Sequence, residues 1–175
     1  YLLGCEQVTA ARKLVQALGA PLLLDPAFGD HGRLYGGISC AQADATRLLC
    51  AAADTVLPNI TEAAYLTGLP YRADADAAYL TKLADGLLAL GARCAVITGV
   101  RRGDTVGFFG RVRGQAPFSH TLPAVPGAFS GAGDLFAAVY AGARLLGRTE
   151  LAGASLAAEF VARCARHTPG GARLG

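Results

Sequence analysis

The sequence predicts an α/β fold, in which a mostly parallel sheet carries helices on both faces and ends in a short antiparallel meander. First, segments whose apolar residues recur at helical spacing alternate with short apolar runs bounded by Gly, Pro or Asp. Second, such short uninterrupted apolar runs are typical of strands that are buried on both faces. Third, residues 104–123 alternate between apolar and polar residues and are interrupted by glycines, which favours antiparallel hairpins.

The first part of the chain contains two helices and two short strands. Residues 7–18 form a helix with an apolar face made of Val8, Ala11, Leu14, Val15 and Leu18. A buried strand then ends at Asp25, and residues 26–37 have the composition of a loop. Residues 40–52 fit a second helix, and "ADTVLPN" contains a second buried strand.

The rest of the chain repeats this alternation. A helix begins in "ITEAAYLTG", with Thr61 as its expected N-cap and Gly68 at its end. Another helix covers residues 75–90 and precedes a strand centred on Val96. After the meander, helices are predicted over 132–146 and 150–167, the last with apolar residues at i, i+4 spacing: Leu156, Phe160 and Cys164.

Composition excludes several classes of protein. The 175 residues are 53% apolar and 17% charged, with a net charge of +3 and no Lys/Arg run, so no nucleic-acid partner is expected. No apolar stretch is long enough for a membrane span, and the N-terminus lacks the pattern of a signal peptide, which predicts a cytoplasmic protein. The five widely spaced cysteines predict reduced, mostly buried thiols, and the three histidines do not pair at metal-ligand spacing. The absence of methionine and the initial tyrosine suggest that the sequence begins inside a longer protein.

Four polar stretches follow apolar runs, at the points where the predicted strands end. In parallel α/β sheets, ligands bind at the carboxyl ends of the strands. We therefore expect one site to be formed by residues 25–37, 58–62, 98–99 and the glycine-rich segment "PGAFSGAGD".

The glycine-rich segment leads directly into a predicted helix. The amides of Gly131, Ala132 and Gly133 would face outward at the positive end of that helix and could bind a phosphate. Asp134 would repel a phosphate, but it could act as a base on a hydroxyl next to it. An acidic start to an ordinary helix, with glycines for turning, is an equal alternative for this loop alone. No Walker motif and no G-x-G-x-x-G motif is present.

Two further groups of polar residues have a structural and a functional interpretation. Asp25 and Asp30 could orient a hydrated Mg²⁺, or they could belong to ordinary turns. Glu62, three residues after Asn59, could reach a metal-bound water or simply complement the helix dipole.

Taken together, the segments "DPAFGDHGRLY", "ADTVLPNITEAAYLTG", "VITG" and "GAGDLFAAV" resemble the pyridoxal kinase family of the ribokinase-like superfamily, with the bacterial pyridoxamine kinases most similar. The resemblance extends from "YLLGCEQV" to "ARHT". It implies a ribokinase-like three-layer sandwich in which residues 1–175 form a partial kinase domain, lacking the N-terminal strand region and clipped at its C-terminus. It also implies ATP-dependent phosphorylation of the 5′-hydroxyl of pyridoxal, pyridoxamine or pyridoxine in vitamin B6 salvage.

The resemblance also assigns roles to single residues. Asp134 would take the proton from the substrate hydroxyl, and the anion hole for the transferred phosphoryl group would comprise Gly131, Ala132 and Gly133. Mg²⁺ and the triphosphate would lie among Asp25, Asp30 and Glu62, and further ATP contacts would come from Asn59, Thr98, Tyr35 and Asp30. Tyr1 corresponds to a tyrosine near the pyridine ring. The family implies ATP and Mg²⁺ as cofactors and a homodimer, and it leaves a monovalent cation open.

Some positions depart from the family pattern and keep alternatives open. Relatives usually have Thr at Ala132 and often Ser at Gly99, and they begin well upstream of Tyr1. Hydroxymethylpyrimidine phosphate kinase shares the fold, but it usually carries Cys where this chain has Asp134. A sugar or nucleoside kinase fits the "GRLY" and "PNITEA" segments less well. A nucleotide-binding remnant without catalysis is the alternative from another class.

Overall fold

The computed structural model describes residues 4–168, so Tyr1 and its predicted contact with the substrate lie outside the described residues. The helices are α1 (Cys5–Leu18), α2 (Cys40–Cys50), α3 (Ile60–Thr67), α4 (Ala77–Ala89), α5 (Ala132–Leu145) and α6 (Glu150–His167). The strands are β1 (Leu23–Leu24), β2 (Gly29–Asp30), β3 (Arg33–Leu34), β4 (Thr55–Val56), β5 (Cys94–Arg102), β6 (Thr105–Val112) and β7 (Phe118–Pro123). No helix within residues 4–168 combines the length and the apolar character needed to cross a bilayer.

The central sheet has five strands in the order β1-β4-β5-β6-β7. Strands β1, β4 and β5 pair in parallel, with Leu23 opposite Thr55 and Thr55 opposite Cys94. Strands β5, β6 and β7 form an antiparallel meander. Four of the five strands therefore point in the same direction, and only β6 runs against them. The predicted α/β fold with a mostly parallel sheet and an antiparallel meander is confirmed.

Helices cover both faces of this sheet and create two separate cores. Successive residues of β5 point to opposite faces, so Ala95 and Ile97 join one buried cluster while Cys94 and Val96 join the other. The first cluster contains buried residues from helices α1 to α4. The second contains residues of α5 and α6, including Phe136 and Tyr140. The molecule thus has three layers, as a ribokinase-like sandwich requires.

Residues 26–37 are not a simple loop, contrary to the sequence-based prediction. They contain the β2–β3 hairpin, in which Gly29 pairs with Leu34 and Asp30 with Arg33. The two turn residues, His31 and Gly32, have positive φ values of 50° and 76°. Two positive values in a two-residue connection are typical of a type I′ turn, the connection that matches the twist of paired strands. Two-residue strands are too short to show a period in the sequence, which explains why they were missed.

The buried faces of α1 and α6 also differ from the predicted ones. In α6, Leu156 and Phe160 are exposed, and small residues are buried instead: Gly153, Ala154, Ala157, Ala162 and Ala165. A Cβ added at Gly153 would lie 3.5 Å from the ring of Tyr140 in α5, so α6 approaches α5 closely and small side chains suit the contact. In α1, Leu14 and Leu18 are exposed by 60% and 66%.

The cysteines are unpaired, and they are less buried than the sequence led us to expect. Cys50 and Cys94 are buried, Cys5 and Cys40 are exposed, and Cys164 is intermediate. Burial raises the pKa of the Cys50 thiol to about 11, which keeps it protonated at neutral pH. The prediction of mostly buried thiols is therefore wrong for three of the five positions.

A network of charged side chains closes the amino ends of β4 and β5. Arg93 donates to Asp54 from Nε (2.8 Å) and Nη2 (3.2 Å), and its Nη2 also lies 2.7 Å from Oε1 of Glu150. Arg144 joins from α5, with Nη2 3.0 Å from the same oxygen of Glu150. This network, which we call the amino-edge network, links helices α5 and α6 to the sheet at the edge opposite the candidate site.

Candidate active site

The carboxyl ends of β4 and β5 meet side by side, as the sequence predicted. Thr98 donates its backbone N–H to the carbonyl of Pro58 at 2.9 Å, and Asn59 and Thr98 form an isolated parallel bridge. The segments 58–62 and 98–99 are therefore neighbours at one edge of the sheet.

A β-bulge interrupts β5 at this same edge. The pairing with β6 shifts between Ile97 and Val100, and the intervening Gly99 is exposed with φ of 67°. A left-handed φ at this point favours glycine. Bulges often occur next to active sites, where they change the direction of a strand. Here the bulge frees Thr98 and Gly99 from regular pairing, and Thr98 stays partly exposed.

The start of α5 presents free backbone donors. Its N-cap, Gly131, is left-handed (φ 84°) and no side chain caps the helix. The N–H of Leu135 bonds to the carbonyl of Gly131 at 3.0 Å. The amides of Ala132, Gly133 and Asp134 therefore come before the first i→i−4 hydrogen bond of the helix. A Cβ placed at Gly133 would meet nothing within 4 Å, so the backbone is open to an approaching group. This arrangement can bind an anion.

Asp134 lies in the first turn of α5 with an exposed side chain and interacts electrostatically with Asp25. Asp25 follows β1 and accepts a hydrogen bond from the backbone of Ala27, a residue with positive φ (46°). Burial and the charge of Asp134 raise the pKa of the Asp25 carboxyl to about 6. Two segments that are distant in the sequence thus place their carboxylates in one electrostatic environment.

The β2–β3 hairpin adds Asp30 and Tyr35 to this environment. Asp30 is exposed and accepts a hydrogen bond from the backbone of His31 at 2.8 Å. Tyr35 is 41% exposed. Its pKa is raised to about 12 by burial and by the charges of four carboxylates: Glu62, Asp30, Asp25 and Asp134. The structure therefore brings together the four acidic residues that the sequence singled out, and Tyr35 lies close enough to all four to feel their charge.

Glu62 closes a capping box at the start of α3. The side chain of Asn59 accepts from the N–H of Glu62, and Oε2 of Glu62 accepts from the N–H of Asn59, both at 3.0 Å. Asn59 is the N-cap, so the prediction of Thr61 at that position is wrong. The "N-x-x-E" pattern of a capping box could have identified the N-cap from the sequence.

The other oxygen of Glu62 binds the hairpin. Oε1 accepts from the N–H groups of Phe28 (2.9 Å) and Gly29 (3.3 Å), and the Glu62 side chain is almost completely buried. Burial is the largest effect on this carboxyl and raises its pKa to about 7, although the amide donors act in the opposite direction. The geometry supports the structural interpretation of Glu62, and its role toward a metal-bound water stays a prediction.

Thr61 was not among the predicted site residues, yet it bonds the turn of the hairpin. Its Oγ1 accepts from the N–H of Gly32 at 2.9 Å, and Asn59 donates from Nδ2 to the carbonyl of Gly29 at 2.7 Å. No local pattern distinguishes such a threonine from a helix cap, because its partner lies far away in the sequence.

The carboxylates do not form a complete metal cage by themselves. Within residues 4–168, no three His, Cys, Asp or Glu side chains are arranged to hold a metal ion. Mg²⁺ commonly takes one or two carboxylates and completes its shell with water and phosphate oxygens. The predicted metal role of Asp25, Asp30 and Glu62 therefore depends on oxygen atoms from a ligand.

Comparison with known proteins agrees with this architecture. The family model described as phosphomethylpyrimidine kinase matches residues 2–173. No curated protein matches the chain significantly.

Solved structures of related proteins superpose closely on the chain. One is a protein from Bacteroides thetaiotaomicron VPI-5482 whose assignment as a phosphomethylpyrimidine kinase is provisional. Its rhombohedral form has 27% identity and a TM-score of 0.92, with 96% of this chain and 60% of that chain covered. Its orthorhombic form, which contains pyridoxal, has a TM-score of 0.91, with 97% of this chain and 62% of that chain covered.

Pyridoxal kinase from Lactobacillus plantarum is 31% identical, with a TM-score of 0.81 and with 91% of this chain and 59% of that chain covered. The chain thus spans about three fifths of the length of these relatives. The three-layer fold, the carboxylates at the strand ends and the match over residues 2–173 agree, and the chain belongs to the phosphomethylpyrimidine kinase family, within the ribokinase-like superfamily.

Proposed function

We propose that this protein transfers the γ-phosphoryl group of ATP to the 5′-hydroxyl of pyridoxal, pyridoxamine or pyridoxine. The observation that supports this function best is the start of α5, where exposed Asp134 stands beside amides that no side chain caps. A kinase needs a base for a hydroxyl and donors for a phosphoryl group within a few ångströms of each other. One helix turn supplies both.

The chemical step assigns one task to Asp134 and another to the amides. The 5′-oxygen forms a bond to the γ-phosphorus, while the bond from that phosphorus to the β,γ-bridging oxygen breaks and ADP leaves with the electron pair. Asp134 accepts the hydroxyl proton as the new bond forms. The amides of Ala132 and Gly133 donate to the oxygens of the transferred group, which carry the developing charge.

Asp25 and Asp30 would hold Mg²⁺ together with phosphate oxygens of the nucleotide. The donor set fits this ion, because carboxylates are its usual protein ligands. Burial is the main cause of the raised pKa of Asp25 and the charge of Asp134 the second, and a divalent cation would relieve the repulsion between the two carboxylates. When bound, Mg²⁺ neutralises charge on the triphosphate. Asn59, Thr98 and Tyr35 lie at the same edge and would contact ATP.

The vitamin B6 substrate is supported by two observations. The sequence resembles pyridoxal kinases through "DPAFGDHGRLY" and "PNITEA", and a structural relative contains pyridoxal. The second candidate is a hydroxymethylpyrimidine or its phosphate as acceptor, which the name of the matching family favours. The B6 vitamers and hydroxymethylpyrimidine both present a hydroxymethyl group on a six-membered aromatic ring, so the same catalytic turn would serve either. The phosphate of hydroxymethylpyrimidine would instead accept the phosphoryl group on a phosphate oxygen.

The decisive experiment measures ADP formation with each B6 vitamer, with hydroxymethylpyrimidine and with hydroxymethylpyrimidine phosphate. It is carried out on the 175-residue chain and on a version extended at its N-terminus. Turnover with a vitamer and none with either pyrimidine supports the proposal, whereas the reverse preference replaces it with the second candidate. ATP binding without turnover in either version indicates a nucleotide-binding remnant.

The variant Asp134→Asn tests whether Asp134 is the catalytic base, and it is made in the 175-residue chain or in the extended version, whichever is active. We expect kcat to collapse while the affinity for ATP changes little, because the amide keeps the size of the carboxylate but cannot take the proton. If kcat stays within about tenfold of wild type, equivalent to about 1.4 kcal/mol of barrier, Asp134 is not the base.

A further inference from the structure

The β2–β3 hairpin is connected to the domain through the first turn of α3. Its two strands form a separate sheet and pair with each other. Four hydrogen bonds join it to residues 59–62: Phe28 N and Gly29 N to Glu62, Asn59 Nδ2 to the carbonyl of Gly29, and Gly32 N to Thr61. The first three bonds hold the start of the hairpin at Phe28 and Gly29, and the fourth holds its turn at Gly32.

Thr61 is the residue that holds the turn. Its side chain is buried, and its hydroxyl accepts from Gly32 at 2.9 Å. The helix does not need this hydroxyl as a cap, because Asn59 and Glu62 already form the capping box. On another side of the same glycine lies the ring of Tyr71, since a Cβ at Gly32 would come within 2.8 Å of a ring carbon. The turn is therefore fixed by Thr61 and Tyr71.

The fixed hairpin carries two of the residues that would contact the nucleotide. Asp30 is in β2, and Tyr35 follows β3 directly. Both are partly or fully exposed, and the N–H of Tyr35 bonds back to the carbonyl of Phe28 at 2.9 Å, so Tyr35 moves with the hairpin. A change in the position of the turn would move Asp30 and Tyr35 relative to Asp25 and Asp134.

We propose that Thr61 is a positioning residue for nucleotide binding: its hydroxyl fixes the turn of the hairpin at Gly32, so that Asp30 and Tyr35 face the bound triphosphate. This role rests on the proposed kinase function. It requires no contact between Thr61 and the nucleotide.

The test compares three variants on one helix. Thr61→Val keeps the shape and removes the acceptor, whereas Thr61→Ser keeps the hydroxyl. Thr67→Val makes the same chemical change at the end of α3, where the hydroxyl donates to the carbonyl of Ala63 within the helix. Backbone amide exchange at residues 28–35, the affinity for Mg·ATP by calorimetry and the KM of each substrate are measured for all three.

For Thr61→Val, we expect exchange at His31 and Gly32 to accelerate by about fivefold or more, in line with the loss of one hydrogen bond. The KM for ATP should rise by about five- to tenfold, and the KM for the alcohol substrate should change less than twofold. Thr61→Ser should restore wild-type values, and Thr67→Val should leave the hairpin unchanged. If Thr61→Val does not fold, Tyr71→Ala is used instead, because it removes the exposed ring on the other side of Gly32. It should likewise raise the KM for ATP more than the KM for the alcohol substrate.

Two results would overturn this role without affecting the kinase proposal. One applies if the wild type binds Mg·ATP: Thr61→Val then binds it just as tightly. The other is an equal effect of Thr67→Val, which would mean that general weakening of α3 is responsible. A wild-type protein that binds no Mg·ATP would instead refute the proposed function and this role with it.

Discussion

The carboxylates of Asp25 and Asp134 interact across the edge of the sheet, although one follows β1 and the other begins α5. Burial, and next the charge of Asp134, raises the pKa of Asp25 from its ordinary value of 3.8 to about 6. The rise in the pKa of Asp25 shows that negative charge on the two side chains is mutually repulsive. This repulsion is what one expects where a divalent cation or a proton is to be received.

The first prediction concerns this pair and needs no enzymatic activity. In Asp134→Asn the neighbouring charge is gone, so the pKa of Asp25 should fall toward its ordinary value while staying above it, because burial remains the larger effect. Titration of the carboxyl carbon by NMR measures the change. The control is Asp74→Asn, at an exposed position in the segment before α4, which should leave the pKa of Asp25 unchanged. An unchanged pKa in Asp134→Asn would mean that the two groups do not interact in solution.

The second prediction separates the role of a glycine in catalysis from its role in the helix. Gly133 and Gly142 are both exposed in α5, and a Cβ at either position meets nothing within 4 Å. Alanine at either position should therefore stabilise the protein by up to about 1 kcal/mol, since alanine is the better helix former. The two variants should differ in activity, because only the Cβ at position 133 would occupy the space in front of the free amides.

Urea denaturation and kcat/KM for ATP measure the two effects. We expect Gly133→Ala to lose at least tenfold in kcat/KM and Gly142→Ala to remain within twofold of wild type. Equal activity of the two variants would show that the start of α5 does not bind the transferred phosphoryl group.

The third prediction is that stability falls as the pH rises from about 5 to 7. Folding raises the pKa of Asp25 to about 6 and that of Glu62 from 4.5 to about 7, so the folded state binds more protons than the unfolded state in this range. The free energy of unfolding then decreases with pH, by at most about 1.4 kcal/mol per pH unit for each group. Asp54 and Glu150 have lowered pKa values, and their opposite contribution is lost only at lower pH.

Urea denaturation at several pH values, without divalent cations, provides the measurement. Asp25→Asn should reduce the slope between pH 5 and 6, because one of the two titrating groups is removed. A stability that rises with pH over this range in the wild type would contradict the raised pKa values of Asp25 and Glu62.

The sequence predicts the larger elements of this fold well. Runs such as "CAVIT" can be recognised because both faces of β5 are buried, and helix α4 shows a regular apolar spacing. The placement of four polar stretches at one edge also follows from the sequence, because parallel strands put their carboxyl ends on the same side. The bridge between Asn59 and Thr98 confirms that reasoning for two of these stretches.

What the sequence did not predict depends on contacts between distant segments. The strands of the hairpin are only two residues long, and four hydrogen bonds from residues 59–62 support it. The apolar spacing of α6 favoured Leu156 and Phe160, but the close approach of α5 selects the small residues instead. The capping box of Asn59 and Glu62 was visible as a pattern, whereas the bond from Gly32 to Thr61 was not.

The amino-edge network around Arg93 has a consequence for how the protein responds to ionic strength. At that edge opposite charges attract, and at the other edge Asp25 and Asp134 repel. Added monovalent salt screens both interactions, because all of these groups have access to solvent. It weakens the attraction and relieves the repulsion, so the two effects on folding oppose each other. The stability of this domain should therefore depend on salt far less than the strength of either charge cluster alone would suggest.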